Sequence, residues 1–348
     1  MDHSWQKELG NSLRSIADIN LFFGTNLTIK APNSFSALIP LPLAKKIQDL
    51  GPSSALWKQF IPQDIESEHF QESGSLDPIG DSDFKKTNCL IHRYHNRVLF
   101  LPTHSCPVHC RYCFRRNVID TPKSLSKSEF ELCLEYLKEH VEVEEIIFSG
   151  GDPLVLSDSK IQFYLEQFAT LPNIKFIRFH TRTPVILPSR LNLSLASVLE
   201  KFQGRFHINL VLHINHASEI DQTLLENLRA FNRQGVELLS QTVLLNGVNT
   251  YPEDLALLFK TLSMNRIKPY YLHHPDRVSG GLHFYLPIEQ GRKIYLKLRS
   301  MLSGWMIPQY VIDQPSGRGK LPIFNAENFE FSGKLLGLSG TKESHTES

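Results

Sequence analysis

Arg97-Val-Leu-Phe-Leu-Pro-Thr-His-Ser-Cys106-Pro-Val-His-Cys110-Arg-Tyr-Cys113 joins a short apolar run to three closely spaced cysteines. The apolar part reads as a buried strand, and the cysteines occupy the loop directly after it. Three thiolates in one tight loop suit three corners of a cubane iron–sulfur cluster. No fourth ligand lies nearby in the sequence, so one iron would stay open as a reaction site. A structural zinc site is the competing reading, with His104 or His109 completing four ligands. The remaining cysteines, Cys89 and Cys133, do not form a second short pair. Cys133 sits in a helical pattern and reads as a buried apolar thiol. Five cysteines in 348 residues do not make a disulfide framework.

Apolar runs like the first recur along the chain at 145–149, 175–180, 206–213, 236–244 and 267–273. Each is rich in Val, Ile, Leu or Phe, as strands buried on both faces are. Helical patterns separate them at 126–140, 157–170, 194–201, 219–233, 251–264 and 289–303. Ser126 with Glu129 forms a capping-box signal, and Ser157 gives a weaker start. Strand–helix alternation of this kind predicts an α/β fold, a parallel partial (β/α)6 barrel. Such barrels gather ligands at the C-terminal ends of their strands, where the cysteine loop falls. The expected organisation is a helical and loop-rich N-terminal extension over 1–90 and a barrel core over 91–285. A C-terminal segment over 286–330 and a flexible polar tail over 331–348 follow. The formal net charge is +1. Balanced charge gives no sign of a general nucleic-acid or membrane partner. No apolar run reaches the roughly 18 residues of a membrane span. The first residues show no secretion signal, and free thiols fit a reducing compartment, so a cytoplasmic location is expected.

Three further segments carry chemistry. Ser149-Gly150-Gly151-Asp152 closes the second strand. Its glycines let backbone approach a ligand, and a carbonyl there could accept from an ammonium group; it is also ordinary turn chemistry. Asp313-Gln-Pro-Ser-Gly-Arg-Gly-Lys320 reads as a Gly-rich loop. Its lysine suits a Schiff base with an aldehyde cofactor, although a phosphate contact or a plain surface turn fits too. Arg93-Tyr94-His-Asn-Arg97 places two cations four residues apart, either a phosphate clamp or a surface charge pair.

Together these segments resemble the lysine 2,3-aminomutase family, enzymes that use a [4Fe-4S] cluster, S-adenosylmethionine (SAM) and pyridoxal 5′-phosphate (PLP). The resemblance runs from about residue 93 to residue 322. It implies that Cys106, Cys110 and Cys113 hold the cluster and that Lys320 carries PLP as a Schiff base. It matches Arg93, Tyr94 and Arg97 to the PLP phosphate and its surroundings. Ser149, Gly150, Gly151, Asp152, His213 and Gln241 correspond to contacts around SAM. Arg115 corresponds to the partner of the substrate carboxylate. Asp276 and Asp313 correspond to the acids that take the distal ammonium of L-lysine, although Asp276 beside Arg277 also reads as an ordinary loop acid. The implied reaction is a 1,2-amino migration that turns L-lysine into β-lysine, with an electron donor of flavodoxin or ferredoxin type.

The helical N-terminal segment and the run Tyr270-Tyr-Leu-His-His are similar to the bacterial branch that makes (R)-β-lysine for elongation factor P. No C-terminal cysteine cluster of the free-lysine enzymes is seen. This branch implies a functional link to elongation factor P and its lysyl ligase. A free-lysine enzyme, a glutamate or arginine aminomutase, and a non-catalytic iron–sulfur or PLP-binding protein remain the alternatives.

Overall fold

The computed structural model describes residues 4–28, 35–119, 125–315 and 319–323, with the backbone of 334–336 and 342–344. One ten-stranded sheet follows chain order. Its members are β1 (Lys85–Thr87), β2 (Leu90–Tyr94), β3 (Arg97–Thr103), β4 (Glu145–Gly150), β5 (Phe176–Thr181), β6 (His207–His213), β7 (Glu237–Val243), β8 (Lys268–His273), β9 (Gln309–Gln314) and β10 (Gly319–Pro322). From β3 to β9 every neighbouring pair is parallel. The edges are antiparallel, β1–β2–β3 on one side and β9–β10 on the other.

The six expected strands are therefore present, and β9 adds a seventh parallel one. The Gly-rich loop expected around Lys320 is corrected at its C-terminal end, while residues 316–318 lie outside the described residues. Lys320 lies on β10, directly opposite Asp313 on β9. The flexible tail expected over 331–348 lies largely outside the described residues; Lys334–Leu336 and Lys342–Ser344 pair as a small antiparallel sheet.

Four helices form the N-terminal extension: α1 (Ser4–Gly10), α2 (Ile16–Phe23), α3 (Leu41–Leu50) and α4 (Ala55–Phe60). The strand connections carry α5 (Lys127–Glu139), α6 (Asp158–Ala169), α7 (Thr183–Ile186), α8 (Leu193–Glu200), α9 (Gln222–Arg233), α10 (Pro252–Met264) and α11 (Ile288–Met301). The capping box at Ser126 forms as its spacing predicts. Ser157 also caps its helix, accepting from Lys160 N–H. Helix α9 starts later than expected, because Asp221 rather than an earlier residue accepts from Leu224 N–H.

Strand alternation decides what the barrel encloses. Phe100, Phe148, Ile177 and Phe179 turn outward and join Phe130, Tyr164 and Phe168 of the helices in one apolar cluster. Phe100 packs edge-on against Phe148, Tyr164 and Phe168 at 5.0–5.2 Å. Cys89 and Cys133 are buried in the same cluster, as the sequence predicts for Cys133. The opposite parity, including Leu99, Ser149, His180, His213, Gln241, His273 and Asp313, faces the interior. The register sets these residues side by side, with His213 opposite Gln241 and Lys320 opposite Asp313.

Side chains close the seam between the sheet edges. The Tyr94 hydroxyl of β2 accepts from the Lys320 N–H of β10 at 2.7 Å. Gly319, at φ +67°, is required there, since a Cβ would lie 2.2 Å from that hydroxyl.

Candidate active site

A cavity of about 230 Å³ opens at the C-terminal ends of the strands. All three loop cysteines line it, together with Ser149, Gly150, Gly151, His213 and Gln241. Arg115, Asp276, Asp313 and Lys320 line it as well. A smaller cavity of about 80 Å³ lies at the seam, bordered by Arg93, Tyr94 and Arg97. Asp313, Lys320 and His180 border both. The structure thus brings together almost every residue the sequence singles out, but divides them between two adjoining spaces.

The cysteine loop is held from outside by the N-terminal extension. Backbone bonds run from His109 N–H to Leu38 O (3.1 Å) and from Arg111 N–H to Gln59 O (2.8 Å). Arg111 donates twice to Glu66, at 2.8 and 2.6 Å, and Arg116 donates to the same carboxylate at 2.8 Å. From inside, the glycine motif holds it. Gly151 N–H donates to Thr103 O (2.8 Å) and Asp152 N–H to Ser105 O (2.9 Å). A Cβ on Gly150, at φ +100°, would meet Thr103 O at 2.6 Å. These glycines therefore serve a close approach to the chain's own backbone as well as lining the cavity. The Asp152 carboxylate is spent on the protein, accepting from Leu154, Arg182 and Thr183 N–H and from the Thr181 hydroxyl.

Burial pushes the Cys113 thiol up to about 11, and the neighbouring Cys110 adds to this; burial also raises Cys110. Thiolates in this place need a cationic partner. Among the described residues no three His, Cys, Asp or Glu side chains converge on one metal position, as a mononuclear zinc centre demands. A cubane takes each thiolate on a different iron, so three cysteines spread along one wall suit it better.

The seam cavity suits a phosphate on a two-residue hairpin. Tyr94 and Arg97 pair across the turn, and the Arg97 guanidinium stacks on the Tyr94 ring at 3.7 Å. Arg93 donates to Ile79 O (2.6 Å) and to Asp81 (3.2 Å). Among the described residues its buried Nε has no partner, and neither has His180 Nε2. Unmet donors beside an amine are what an anionic cofactor with an aldehyde would satisfy. Lys320 Nζ meanwhile sits 2.8 and 3.0 Å from the two Asp313 oxygens.

Asp313 and Asp276 respond differently to one environment. Burial raises Asp276 to about 7, with the nearby Asp313 charge adding to it. Burial acts on Asp313 too, but His273 and the Lys320 ammonium hold its carboxyl well below the usual range. Burial, helped by the surrounding cations Arg178 and Lys320, keeps His180 neutral.

The sequence reading missed Asp81, Glu66, Arg178, His180 and Arg182. Asp81 follows Gly80 at the start of a short 3₁₀ turn and binds both Arg115 (2.6 Å) and Arg93. Arg178 forms a paired bond with Glu145 at 2.9 and 2.6 Å under the seam cavity. His180 was accessible to strand alternation, being two residues beyond Arg178 on β5.

Residues 100–259 match the Radical SAM superfamily, which places a SAM-cleaving cluster enzyme on this barrel. The chain is 36% identical to L-lysine 2,3-aminomutase of Haemophilus influenzae, over 81% of this chain and 82% of that one. It is 34% identical to the Escherichia coli L-lysine 2,3-aminomutase over 84% of each. It is also 34% identical to glutamate 2,3-aminomutase of Clostridioides difficile, over 76% of this chain and 61% of that one. The protein belongs to the lysine 2,3-aminomutase family of radical SAM isomerases, whose cofactors are a [4Fe-4S] cluster, SAM and PLP. No helix among the described residues is long and apolar enough to cross a membrane.

Proposed function

We propose that this protein moves the α-amino group of L-lysine to the β-carbon. The observation that carries the choice of lysine is the acidic pair Asp276 and Asp313, both on the main cavity that Arg115 also lines. Percent identity differs little between lysine and glutamate enzymes, at 36% and 34%, but the match covers 82% of the lysine enzyme and 61% of the glutamate enzyme.

In this reading Cys106, Cys110 and Cys113 hold the cluster, and Ser149, Gly150, Gly151, His213 and Gln241 surround SAM. Lys320 carries PLP, with its phosphate among Arg93, Tyr94 and Arg97. When bound, these groups supply hydrogen-atom abstraction and a π bond across which nitrogen can move. The chain's own residues position and exclude. Arg115 turns from Asp81 to the substrate carboxylate in a two-pronged contact. Asp313 and Asp276 take the distal ammonium, and that charge favours ionised Asp276. Neutral His180 offers a hydrogen bond without repelling a cation. Apolar walls from Leu99, Val108, Val243, Leu245 and Phe284 keep water from the reacting carbons.

The test is anaerobic reconstitution with L-lysine, SAM, PLP and dithionite, followed by product analysis. β-Lysine is expected, and preference for L-glutamate or L-arginine would remove lysine as substrate. Cys110→Ala should lose iron while Cys133→Ala keeps it. Lys320→Ala should lose the cofactor absorbance that borohydride fixes, with the cluster retained.

A second layer concerns destination. The chain spans 82–95% of the H. influenzae, Buchnera aphidicola and E. coli relatives. The helical N-terminal extension and the run Tyr270-Tyr-Leu-His-His support a role in supplying (R)-β-lysine to elongation factor P, with a cytoplasmic location as part of that reading. The electron donor would be of flavodoxin or ferredoxin type. Purified elongation factor P and its lysyl ligase should accept the enzyme's product. An (S) product, or one the ligase ignores, would favour free β-lysine metabolism.

A further inference from the structure

Arg182, just past the end of β5, lines the main cavity beside the cysteine loop, and the proposed reaction makes no use of it. Its side chain is buried. The Nη1 atom lies 3.4 Å from Cys110 Sγ and also donates to the Tyr112 hydroxyl. The Nη2 atom donates to Glu219 at 2.6 Å and to Gln59 at 3.0 Å. The Phe60 ring lies 4.7 Å from the guanidinium carbon. The cation is therefore fixed on several sides.

Its counter-charge is fixed as well. Glu219 is 1% exposed and accepts from the N–H groups of Asn215 and His216, each at 3.0 Å. Gln59 Nε2 donates to it at 3.1 Å. Gln59 Oε1 meanwhile accepts from Asn215 at 3.0 Å. One glutamine of the N-terminal extension thus ties the arginine, its carboxylate and the loop after β6 together.

We propose that Arg182 is a positioning residue for the iron–sulfur centre: it donates to the Cys110 sulfur and sets the centre's reduction potential, with Glu219 restraining the effect. The inference rests on the reading of the three cysteines as cluster ligands. Hydrogen bonds to ligand sulfurs and nearby net charge are two of the levers that set such a potential. A charged donor on a thiolate draws electron density from it and stabilises the more reduced, more negative state. A buried carboxylate beyond it opposes that. Both charges are sheltered from solvent, so salt screens them poorly. Removing them should move the potential in opposite directions, which a purely structural ion pair does not predict.

The experiment is a potentiometric titration of the full chain, reconstituted anaerobically, with the reduced cluster followed by electron paramagnetic resonance. Wild type, Arg182→Met and Glu219→Gln are compared at measured iron content. Arg182→Met should shift the midpoint to more negative values and Glu219→Gln to less negative ones. Shifts of the same sign, or no shift in either variant at wild-type iron content, overturn the proposal. If Arg182→Met loses iron, Glu219→Gln still decides by its sign, since it keeps the guanidinium; a negative shift or none overturns the proposal. Iron loss in both variants would mark the pair as structural and also end it. A wild-type protein that takes up no cluster would instead refute the ligand assignment.

Discussion

Glu66 and Asp81 each hold two arginines, yet the two arrangements have opposite surroundings. Glu66 binds Arg111 and Arg116, and all three side chains are 1–6% exposed. Neither cavity touches them. Burial works against the Glu66 charge, but the two guanidinium groups hold its carboxyl below its ordinary value. Asp81 binds Arg93 and Arg115 with side chains 6–16% exposed, and all three border one of the two cavities. The same ion-pair chemistry is therefore a closed clamp in one place and a replaceable contact in the other. What separates them is whether another anion can reach the arginines.

The largest effect should come from breaking the clamp. Glu66→Ala leaves two buried guanidinium groups with backbone carbonyl partners but no counter-charge, which costs about 3–5 kcal/mol by analogy with other buried pairs. Chemical denaturation should show this as an earlier unfolding midpoint. A loss under about 1 kcal/mol would mean that the clamp and the open pair do not differ in kind.

Next, Arg115→Lys tests the open pair. A lysine cannot reproduce a two-pronged carboxylate contact. A charge-assisted hydrogen bond contributes about 1.5–3 kcal/mol, so lysine turnover should fall roughly ten- to hundredfold. The unfolding midpoint should stay near wild type. Asp313→Asn should cost lysine turnover by a similar factor, read as β-lysine formed per unit iron.

A smaller change is expected from Asp81→Asn. Removing the resident anion should leave Arg93 and Arg115 easier to engage. PLP should bind tighter, because its phosphate would no longer compete with the Asp81 carboxylate for Arg93. Absorbance titration of the cluster-loaded protein measures it. Weaker PLP binding would mean that Asp81 orients the arginines rather than occupying them.

The last test concerns pH dependence. Asp276 has an ordinary value of 3.8 and is raised by burial to about 7 in the fold. The folded state then binds the extra proton, so stability should decline as pH rises from about 4 to about 7 and level off above. Asp276→Asn should remove that part of the slope. Lysine affinity of wild type should move the other way, rising as Asp276 ionises near pH 7. A flat affinity profile across that range would detach Asp276 from the ammonium.

Much of this molecule was legible in the sequence because periodicity reports burial. The six central strands and their helices carry enough apolar residues to be read locally. The cysteines, the glycine pair and Lys320 were legible through spacing, and the resemblance supplied their roles. The strands β9 and β10 were not, because β10 has only four residues and Pro315 and Gly317 in the connection read as loop. Glu66 and Asp81 left no signal, since they lie 12–50 residues from the arginines they bind and long-range ion pairs have no period. The split into two cavities depends on the seam between sheet edges, which only the folded register creates.

That register makes the hairpin length a functional quantity. Lys320 reaches the cavities because it stands across the ladder from Asp313, with Gly319 opposite Gln314 and Leu321 opposite Ile312. Side chains alternate between faces, so a one-residue slip turns a whole strand over. A single residue inserted between Gln314 and Gly319 would aim Gly319 or Leu321 inward and send the amine outward. The loop could change in composition, but a change in its parity would disconnect the lysine from its site without touching any residue that lines it.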